Sequence, residues 1–150
     1  VSKKKLSTSK IIDEILLKHG PASKLKKQSF LTPNKDFSIK GDVKIVTDAF
    51  ERLVENAIRF GTQDSVIEIQ TAEKNGGIEL AVVNEGKAIP QKTIEKIMKP
   101  FTLDEDVMKH TEGLGLGLSL TQALLKTHDS RLELECSKGK IRASFQIEAN

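Results

Sequence analysis

The sequence predicts an α/β domain of the α+β type, a two-layer sandwich in which helices pack on one face of a mixed sheet. Two segments alternate apolar and polar residues on both sides of a short turn, which is the pattern of a half-buried β-hairpin. Amphipathic helical patterns precede each of these hairpins. The length of 150 residues, with 37% hydrophobic and 30% charged side chains, fits one domain.

The N-terminal part of the chain predicts one helix and two short strands. Apolar residues recur at helical spacing from Ser7 to His19, and Gly20 and Pro21 are expected to end that helix. The segment from Ser29 to Asp42 then reads as two short extended pieces around a Pro-Asn turn.

The middle of the chain predicts the longest helix and the first hairpin. From Val43 to Phe60 apolar residues recur in pairs every four residues, and Gly61 is a typical residue at a helix C-terminus. Alternating apolar residues then flank Asn75-Gly76-Gly77, which favours a hairpin with a left-handed Asn-Gly turn.

The C-terminal part predicts two more helices and the second hairpin. A short helix falls between Pro90 and Phe101, and a polar loop follows from Thr102 to Glu112. A glycine-rich stretch and then a helix extend to about His128, and a hairpin from Arg131 to Glu148 closes the chain.

Composition excludes several classes of protein. No run of about 18 apolar residues could span a membrane, and the first residues lack the apolar core of a secretion signal. The single cysteine, Cys136, rules out an internal disulfide. A net charge of +3 without Trp or Tyr disfavours nucleic-acid binding. We therefore expect a cytoplasmic domain with no nucleic-acid partner and no direct membrane contact.

Three polar features stand out from these elements. The first is Asn56, at the edge of the apolar arc of the long helix and flanked by Arg52 and Arg59. An amide between two arginines suits a site for a metal and anionic oxygens. The alternative is an Asn that hydrogen-bonds a neighbouring loop beside two solvated arginines.

The second feature is the alternation of Gly113, Gly115 and Gly117 with leucines immediately before a helix. Glycines let backbone N–H groups approach a ligand closely, and a helix N-terminus adds partial positive charge, a combination that suits phosphate. A flexible hinge is the alternative interpretation.

The third feature is the turn that begins at Asn84 and includes Gly86, Ile89 and Pro90. A side-chain amide offers an acceptor and a donor side by side, and it therefore matches the edge of adenine. An ordinary turn is the alternative.

Together the three features resemble the ATP-binding catalytic domain of sensor histidine kinases, in the superfamily of the Hsp90, MutL and gyrase ATPases. The carrying segments are "RLVENAIRF" around Asn56, "NEGKAIP" from Asn84, "IMKPF" up to Phe101, and "GLGLGLS" from Gly113 to Ser119. The resemblance covers nearly the whole chain and implies a Bergerat-type ATP-binding fold.

The resemblance also implies roles for individual residues. Asn56 would bind Mg²⁺, Arg59 would lie near the phosphates, and Asn84 would face the adenine amine beside Ile89. Lys109 or His110, in the polar loop, would reach the terminal phosphate, and a solvated loop is the alternative for each of them. The implied nucleotide-binding set is Asn56, Arg59, Phe60, Asn84, Gly86, Ala88, Ile89, Phe101, Gly113, Leu114, Gly115, Leu116, Gly117 and Leu118.

The sequence departs from the family pattern at positions that bear on activity. ATPases of the superfamily carry a water-activating Glu four residues before the magnesium Asn, where this chain has Arg52, so hydrolysis is disfavoured. Asn84 replaces an Asp and Ala88 a Gly, so weak or absent ATP binding is an alternative expectation.

The resulting hypothesis is the catalytic domain of a two-component sensor histidine kinase that uses ATP and Mg²⁺. Residues 1–10 would be a linker from a helical dimerisation domain of the same protein, and residues 11–150 the ATP-binding domain. The dimerisation domain would supply the phosphoacceptor His, and a response regulator would be the further partner. The alternatives are a degenerate interaction domain and a serine-protein kinase of the anti-sigma-factor type.

Overall fold

The structure is a computed structural model that describes residues 1–98 and 115–150, and after a first strand that the sequence does not predict, the described helices and strands follow the predicted order. The strands are β1 (Lys3–Ser7), β2 (Ser29–Leu31), β3 (Ser38–Asp42), β4 (Val66–Lys74), β5 (Gly77–Glu85), β6 (Glu133–Ser137) and β7 (Lys140–Glu148). The helices are α1 (Thr8–Leu25), α2 (Val43–Phe60), α3 (Gln91–Met98) and α4 (Gly115–Leu125), and a 3₁₀ turn follows at Lys126–His128.

Five of the described strands form a mixed sheet in the order β2-β4-β5-β7-β6. β2 pairs in parallel with β4, and the other neighbours are antiparallel. Both tight turns have the left-handed geometry that their sequences favour, with φ of 50° at Asn75 and 80° at Gly76, and 52° at Lys138 and 76° at Gly139. The mixed sheet and the left-handed Asn-Gly turn confirm the predictions.

The hydrophobic core lies between this sheet and a layer of helices. Helix α2 packs on β5 and is contacted by α1 on one side and by α4 on the other. Its apolar arc is buried from Val46 to Ile58, with Phe50 and Val54 wholly inaccessible. Strands β5 and β7 face it with Leu80 and Phe145, which are opposite each other in the register. The two-layer α/β class is thereby confirmed.

Polar side chains occupy the other face of the sheet. Arg142 donates from Nη2 to Glu79 at 2.7 Å, and Lys74 donates to the same carboxylate at 3.1 Å. The hydrogen bond from Arg142 lowers the pKa of Glu79 below its usual value despite partial burial of the carboxyl group. Within residues 1–98 and 115–150, no helix has both the length and the apolarity needed to cross a membrane.

Helix α1 is longer than the sequence predicts. Gly20 and Pro21 do not end it, because the helix continues to Leu25. Ser23 donates to the carbonyl of Gly20 at 2.9 Å, and Lys26, directly after the helix, donates to three carbonyls at the end of α2, those of Ile58, Arg59 and Gly61. The Lys26 contacts hold the end of α1 against α2, and the helix continues past Pro21 although proline cannot donate a backbone hydrogen bond.

Residues 1–10, which the sequence analysis predicts to be a linker, also contain regular secondary structure. Strand β1 pairs antiparallel with β3 in a separate two-stranded sheet, and Leu6 packs against the core opposite Ile39. Ser7 caps α1 by accepting a hydrogen bond from the backbone N–H of Lys10 at 3.2 Å. Residues 3–10 therefore pack as part of the described fold, and the prediction that residues 1–10 connect to another domain stays a prediction.

Candidate functional site

The last two turns of α2 place polar side chains beside its apolar face. Asn56 is half-buried and adjoins the buried stripe that contains Leu53 and Ala57. Arg59 is exposed, and its guanidinium carbon lies 5.3 Å from the centroid of the Phe60 ring, close enough for a cation–π contact. This end of α2 therefore presents an amide and a cation to the same side of the molecule.

The end of strand β5 supplies a second amide. Asn84 shares the helix-facing side of β5 with Val82, because residues two apart on a strand point the same way, and it is only 5% exposed. Its Nδ2 donates to the carbonyl of Glu85 at 3.1 Å. This bond orients the carboxamide and leaves Oδ1 as its acceptor.

A small cavity of about 20 Å³ joins the end of α2 to the end of β5. The predicted site residues that line it are Asn56, Phe60, Asn84, Ile89 and Leu118. The remaining wall is apolar and consists of Leu53, Ala57, Val82, Leu134, Ile141 and Ala143. The structure thus brings together residues that lie far apart in the sequence.

Sequence reasoning assigned those apolar wall residues to the core or left them unremarked. Their role at the cavity follows from the strand register, in which Ile141 is the direct cross-strand partner of Asn84. The Lys138-Gly139 turn sets only the pairing of β6 with β7, so no local signal in the sequence identifies Ile141 as the partner of Asn84 on β5.

Gly86 lies where the turn after β5 approaches α2 most closely. Its backbone N–H donates to the carbonyl of Gly139 at 3.0 Å. A Cβ at this position would lie 2.8 Å from the carbonyl oxygen of Phe60 and 3.2 Å from Nδ2 of Asn84. Glycine is therefore required here by packing around the cavity. Ala88 is exposed and lies outside the set of cavity-lining residues.

The glycine-rich stretch enters the described part of the chain at α4. The first turn of this helix contains Gly115, Leu116 and Gly117, so the helix includes glycines that the sequence places before it. Leu118 is 2% exposed and lines the cavity. The predicted site residues that lie outside the described part of the chain are Phe101, Lys109, Gly113 and Leu114.

Gln122 is a buried polar residue that the sequence analysis missed. Its Nε2 donates to the carbonyls of Met98 at 2.8 Å and Leu132 at 3.1 Å, and its Oε1 accepts from the N–H of Leu132. The side chain therefore ties α3 and β6 to α4. A glutamine among the leucines of "LSLTQALL" was the available signal.

A larger cleft of about 560 Å³ lies at the opposite end of β5, beside the Asn75-Gly76 turn. Its walls mix acidic and basic side chains, and Lys74 and Glu79 in that wall already pair with each other at 3.1 Å. The small cavity at Asn84 combines apolar walls with two amides and is the better candidate for an organic ligand.

The sequence model of the family described as histidine kinase-, DNA gyrase B-, and HSP90-like ATPases matches residues 41–149. Sporulation kinase C of Bacillus subtilis is 31% identical over 109 residues, which are 73% of this chain and 24% of that protein. The chain therefore spans about a quarter of the length of this curated relative.

Solved structures share the fold. The nucleotide-free catalytic domain of histidine kinase ThkA matches with a TM-score of 0.82 at 22% identity, over 99% of this chain and 98% of that one. ThkA in complex with response regulator protein TrrA matches with a TM-score of 0.78 at 22% identity, over 99% of this chain and 42% of that one. The arrangement of helices on a mixed sheet is that of histidine kinase catalytic domains.

Proposed function

Because the chain belongs to the histidine kinase-, DNA gyrase B- and HSP90-like ATPase family, we propose that it is the catalytic ATP-binding domain of a sensor histidine kinase. It would transfer the terminal phosphate of ATP to a His on a separate dimerisation domain. The observation that carries the proposal is the single cavity lined by Asn56, Phe60, Asn84, Ile89 and Leu118.

The chemistry of the residues that line this cavity suits an adenine ring. Apolar side chains surround one buried amide, and Oδ1 of Asn84 is the acceptor that would receive the adenine amine. A volume of about 20 Å³ holds about one water molecule. A base can enter only if the walls separate, and the segment from Gly86 to Pro90, which has no regular secondary structure, is the wall we expect to move.

Asn56 fits a magnesium site by its chemistry and its position. A carboxamide oxygen is a ligand type that Mg²⁺ accepts, and the side chain is only half-buried at the edge of the apolar face. Bound magnesium would neutralise charge on the phosphates and orient them. Arg59 is exposed and offers a guanidinium group to a phosphate oxygen.

The remaining part of the proposed site comes from the glycine-rich stretch and the polar loop from Thr102 to Glu112. The backbone N–H groups from Gly115 to Leu118 lie in the first described turn of α4, and N–H groups at a helix N-terminus suit a phosphate. By the family pattern, we propose that Phe101, Gly113 and Leu114 contact the same nucleotide. Lys109 would contact its terminal phosphate.

The acidic residues of α2 favour phosphoryl transfer over hydrolysis. At about 100° per residue, Glu55 lies about 100° and Glu51 about 140° around the helix from Asn56. Arg52, at the position four before Asn56, donates to Glu55 at 3.0 Å. These carboxylates are therefore engaged away from Asn56, so activation of a water there is disfavoured.

The partners of the domain are part of the proposal. The acceptor His would belong to a helical dimerisation domain of the same protein, connected through residues 1–10. A response regulator would receive the phosphate from that His, as the complex of ThkA with TrrA suggests by likeness. We place the domain in the cytoplasm.

Calorimetric titration with Mg-ATP tests the proposal. The 150-residue chain should bind saturably and only in the presence of Mg²⁺, and Asn56→Ala and Asn56→Asp should abolish that binding while the circular dichroism spectrum stays unchanged. Asn34→Ala, which changes an exposed Asn in the loop between β2 and β3, is the matched control and should bind normally. Normal binding by both Asn56 variants would overturn the site, and no binding by the parent chain would favour a non-catalytic interaction domain.

A further inference from the structure

A cluster of one His and two Glu side chains lies between α1 and α2, on a face of α2 away from Asn56. Among the described residues, His19, Glu51 and Glu55 bring one potential ligand atom each within 4.8 Å of one another. Glu51 and Glu55 are four residues apart on α2 and therefore project from the same side of that helix. His19 reaches them from α1.

The distances within the cluster are short. Nε2 of His19 lies 2.7 Å from Oε2 of Glu51 and 3.9 Å from Oε1 of Glu55. The side chains are 16%, 13% and 37% exposed in the order His19, Glu51, Glu55. The cluster is thus held by packing on one side and remains open to water on the other.

Two cations contact these carboxylates, and they differ in their effect on the cluster. Nζ of Lys18 lies 2.8 Å from the same Oε2 of Glu51 that faces His19, and the Lys18 side chain is 65% exposed. Arg52 contacts Oε2 of Glu55, whereas Oε1 of Glu55 faces His19. Lys18 would therefore have to leave when another cation binds, while Arg52 can stay and orient Glu55.

We propose that His19, Glu51 and Glu55 bind a divalent transition-metal ion of the zinc class and clip α1 to α2. An imidazole nitrogen with two carboxylate oxygens suits Zn²⁺, with water as the fourth ligand. Ligand bonds of about 2.0–2.2 Å put the ligand atoms of a tetrahedral ion about 3.3–3.6 Å apart. The distances from Nε2 of His19 to Glu51 and Glu55, 2.7 and 3.9 Å, lie just below and just above that range. Small side-chain movements would therefore bring these atoms to the spacing that the ion needs.

The proposed site is independent of ATP binding. Glu55 is turned about 100° around α2 from Asn56, and Mg²⁺ prefers all-oxygen ligands that this His-containing cluster does not offer. A bound ion would link the two helices and stabilise the folded chain, because the unfolded chain does not hold the three ligands together.

Zinc titration without nucleotide tests the site, using the 150-residue chain with Cys136→Ser so that the thiol cannot contribute. One ion should bind per chain, and the melting temperature should rise. His19→Ala and Glu51→Gln should each weaken binding at least tenfold, and Lys18→Met should strengthen it because the competing ammonium group is gone. Glu14→Gln, which alters an exposed carboxylate elsewhere on α1, is the control and should bind as the parent does.

Three results would overturn the proposal. One is equal zinc affinity of the parent and the His19→Ala and Glu51→Gln chains, and a second is binding that disappears with Cys136→Ser alone. The third is a zinc affinity that changes in neither the Lys18→Met chain nor the Glu55→Gln chain. Both changes are at partly exposed side chains and leave the helix contacts intact. A Co²⁺ spectrum typical of nitrogen and oxygen ligands, lost in the His19→Ala chain, would support it.

Discussion

The side chain of Asn84 makes a structural hydrogen bond, and it is also the group proposed to recognise adenine. Its Nδ2 is bonded to the carbonyl of Glu85, and the side chain is 5% exposed. An Asp, the residue of the family pattern at this position, would offer the adenine amine a charged acceptor but would have no proton for Glu85. Replacing Asn84 with Asp would therefore strengthen the proposed adenine contact but remove the hydrogen bond to Glu85.

We expect Asn84→Asp to tighten Mg-ATP binding about fivefold, which corresponds to about 1 kcal/mol, because the acceptor gains a charge. The same change should lower the free energy of unfolding without nucleotide by about 1–3 kcal/mol, since a carboxylate then faces the Glu85 carbonyl. Calorimetry with Mg-ATP and Mg-GTP and urea unfolding measure the two effects. Asn84→Leu should remove the preference for adenine, and a retained preference would show that another group reads the base.

His128 is buried and uses both ring nitrogens. Its Nε2 accepts from the N–H of Asp42 at 2.9 Å, so Nδ1 carries the proton and lies 2.9 Å from Oγ1 of Thr127. The Thr127 hydroxyl then donates to the carbonyl of Leu124 at 2.6 Å. Burial, with a further contribution from Lys3, lowers the pKa of His128 below its usual value.

This arrangement predicts a loss of stability in mild acid. The His128 imidazole takes up a proton at about pH 6.5 in the unfolded chain and only at lower pH in the folded chain. Between these two pH values the unfolded state binds more protons, so the free energy of unfolding falls as the pH falls. Urea unfolding between about pH 5 and 7 measures the slope. His128→Gln keeps an acceptor but cannot titrate, and it should flatten the slope; equal slopes in the two chains would contradict the assignment.

At the scale of elements, Asp42 fixes the start of α2. Oδ1 accepts from the N–H groups of Lys44 at 3.0 Å and Ile45 at 3.4 Å, and Oδ2 accepts from the N–H of Ser2 at 2.9 Å. The hydrogen bond from Ser2 and those from the first turn of α2 lower the pKa of Asp42. One carboxylate thus joins the N-terminal segment to the helix that carries Asn56.

Asp42→Ala should therefore destabilise the chain by about 0.5–2 kcal/mol, the usual effect of losing an N-cap. Asp42→Asn retains a capping oxygen and should lose much less. The midpoints of urea unfolding give the comparison. If the Ala and Asn chains unfold at the same urea concentration, the cap does not stabilise α2.

At the scale of the whole molecule, we expect the isolated chain to show negligible autophosphorylation. Two of the three histidines are held in structural contacts, since His19 is bonded to Glu51 and His128 is buried with both nitrogens engaged. His110 lies outside the described residues, and its sequence context does not match the acceptor motif of the family. Incubation with labelled ATP should leave the chain unlabelled, and label should appear on a dimerisation domain from the same parent when it is added. Stable label on the isolated chain would contradict the proposal that the phosphoacceptor His lies on a separate domain.

Local sequence signals determined much of this molecule. The Asn75-Gly76 turn and the length of α2 follow from turn chemistry and periodicity, and the structure confirms them. The half-buried alternation predicted for β5 is wrong, because Glu79 and Ala81 on its second face are buried as well. The motif resemblance also selected Asn56 and Asn84, which the structure places on one cavity. Their roles toward ATP stay predictions, since proximity within a cavity does not by itself establish binding.

Only the tertiary structure decided the features that depend on distant contacts. Helix α1 continues past Pro21 to an end that Lys26 holds against α2, and the approach of Gly86 to Phe60 sets the shape of the cavity. The pairing of β1 with β3, the His128–Asp42 hydrogen bond and the cluster at His19 likewise join residues far apart in the chain. Helix and turn propensities act over a few residues, whereas such contacts are fixed only when the helices pack on the sheet.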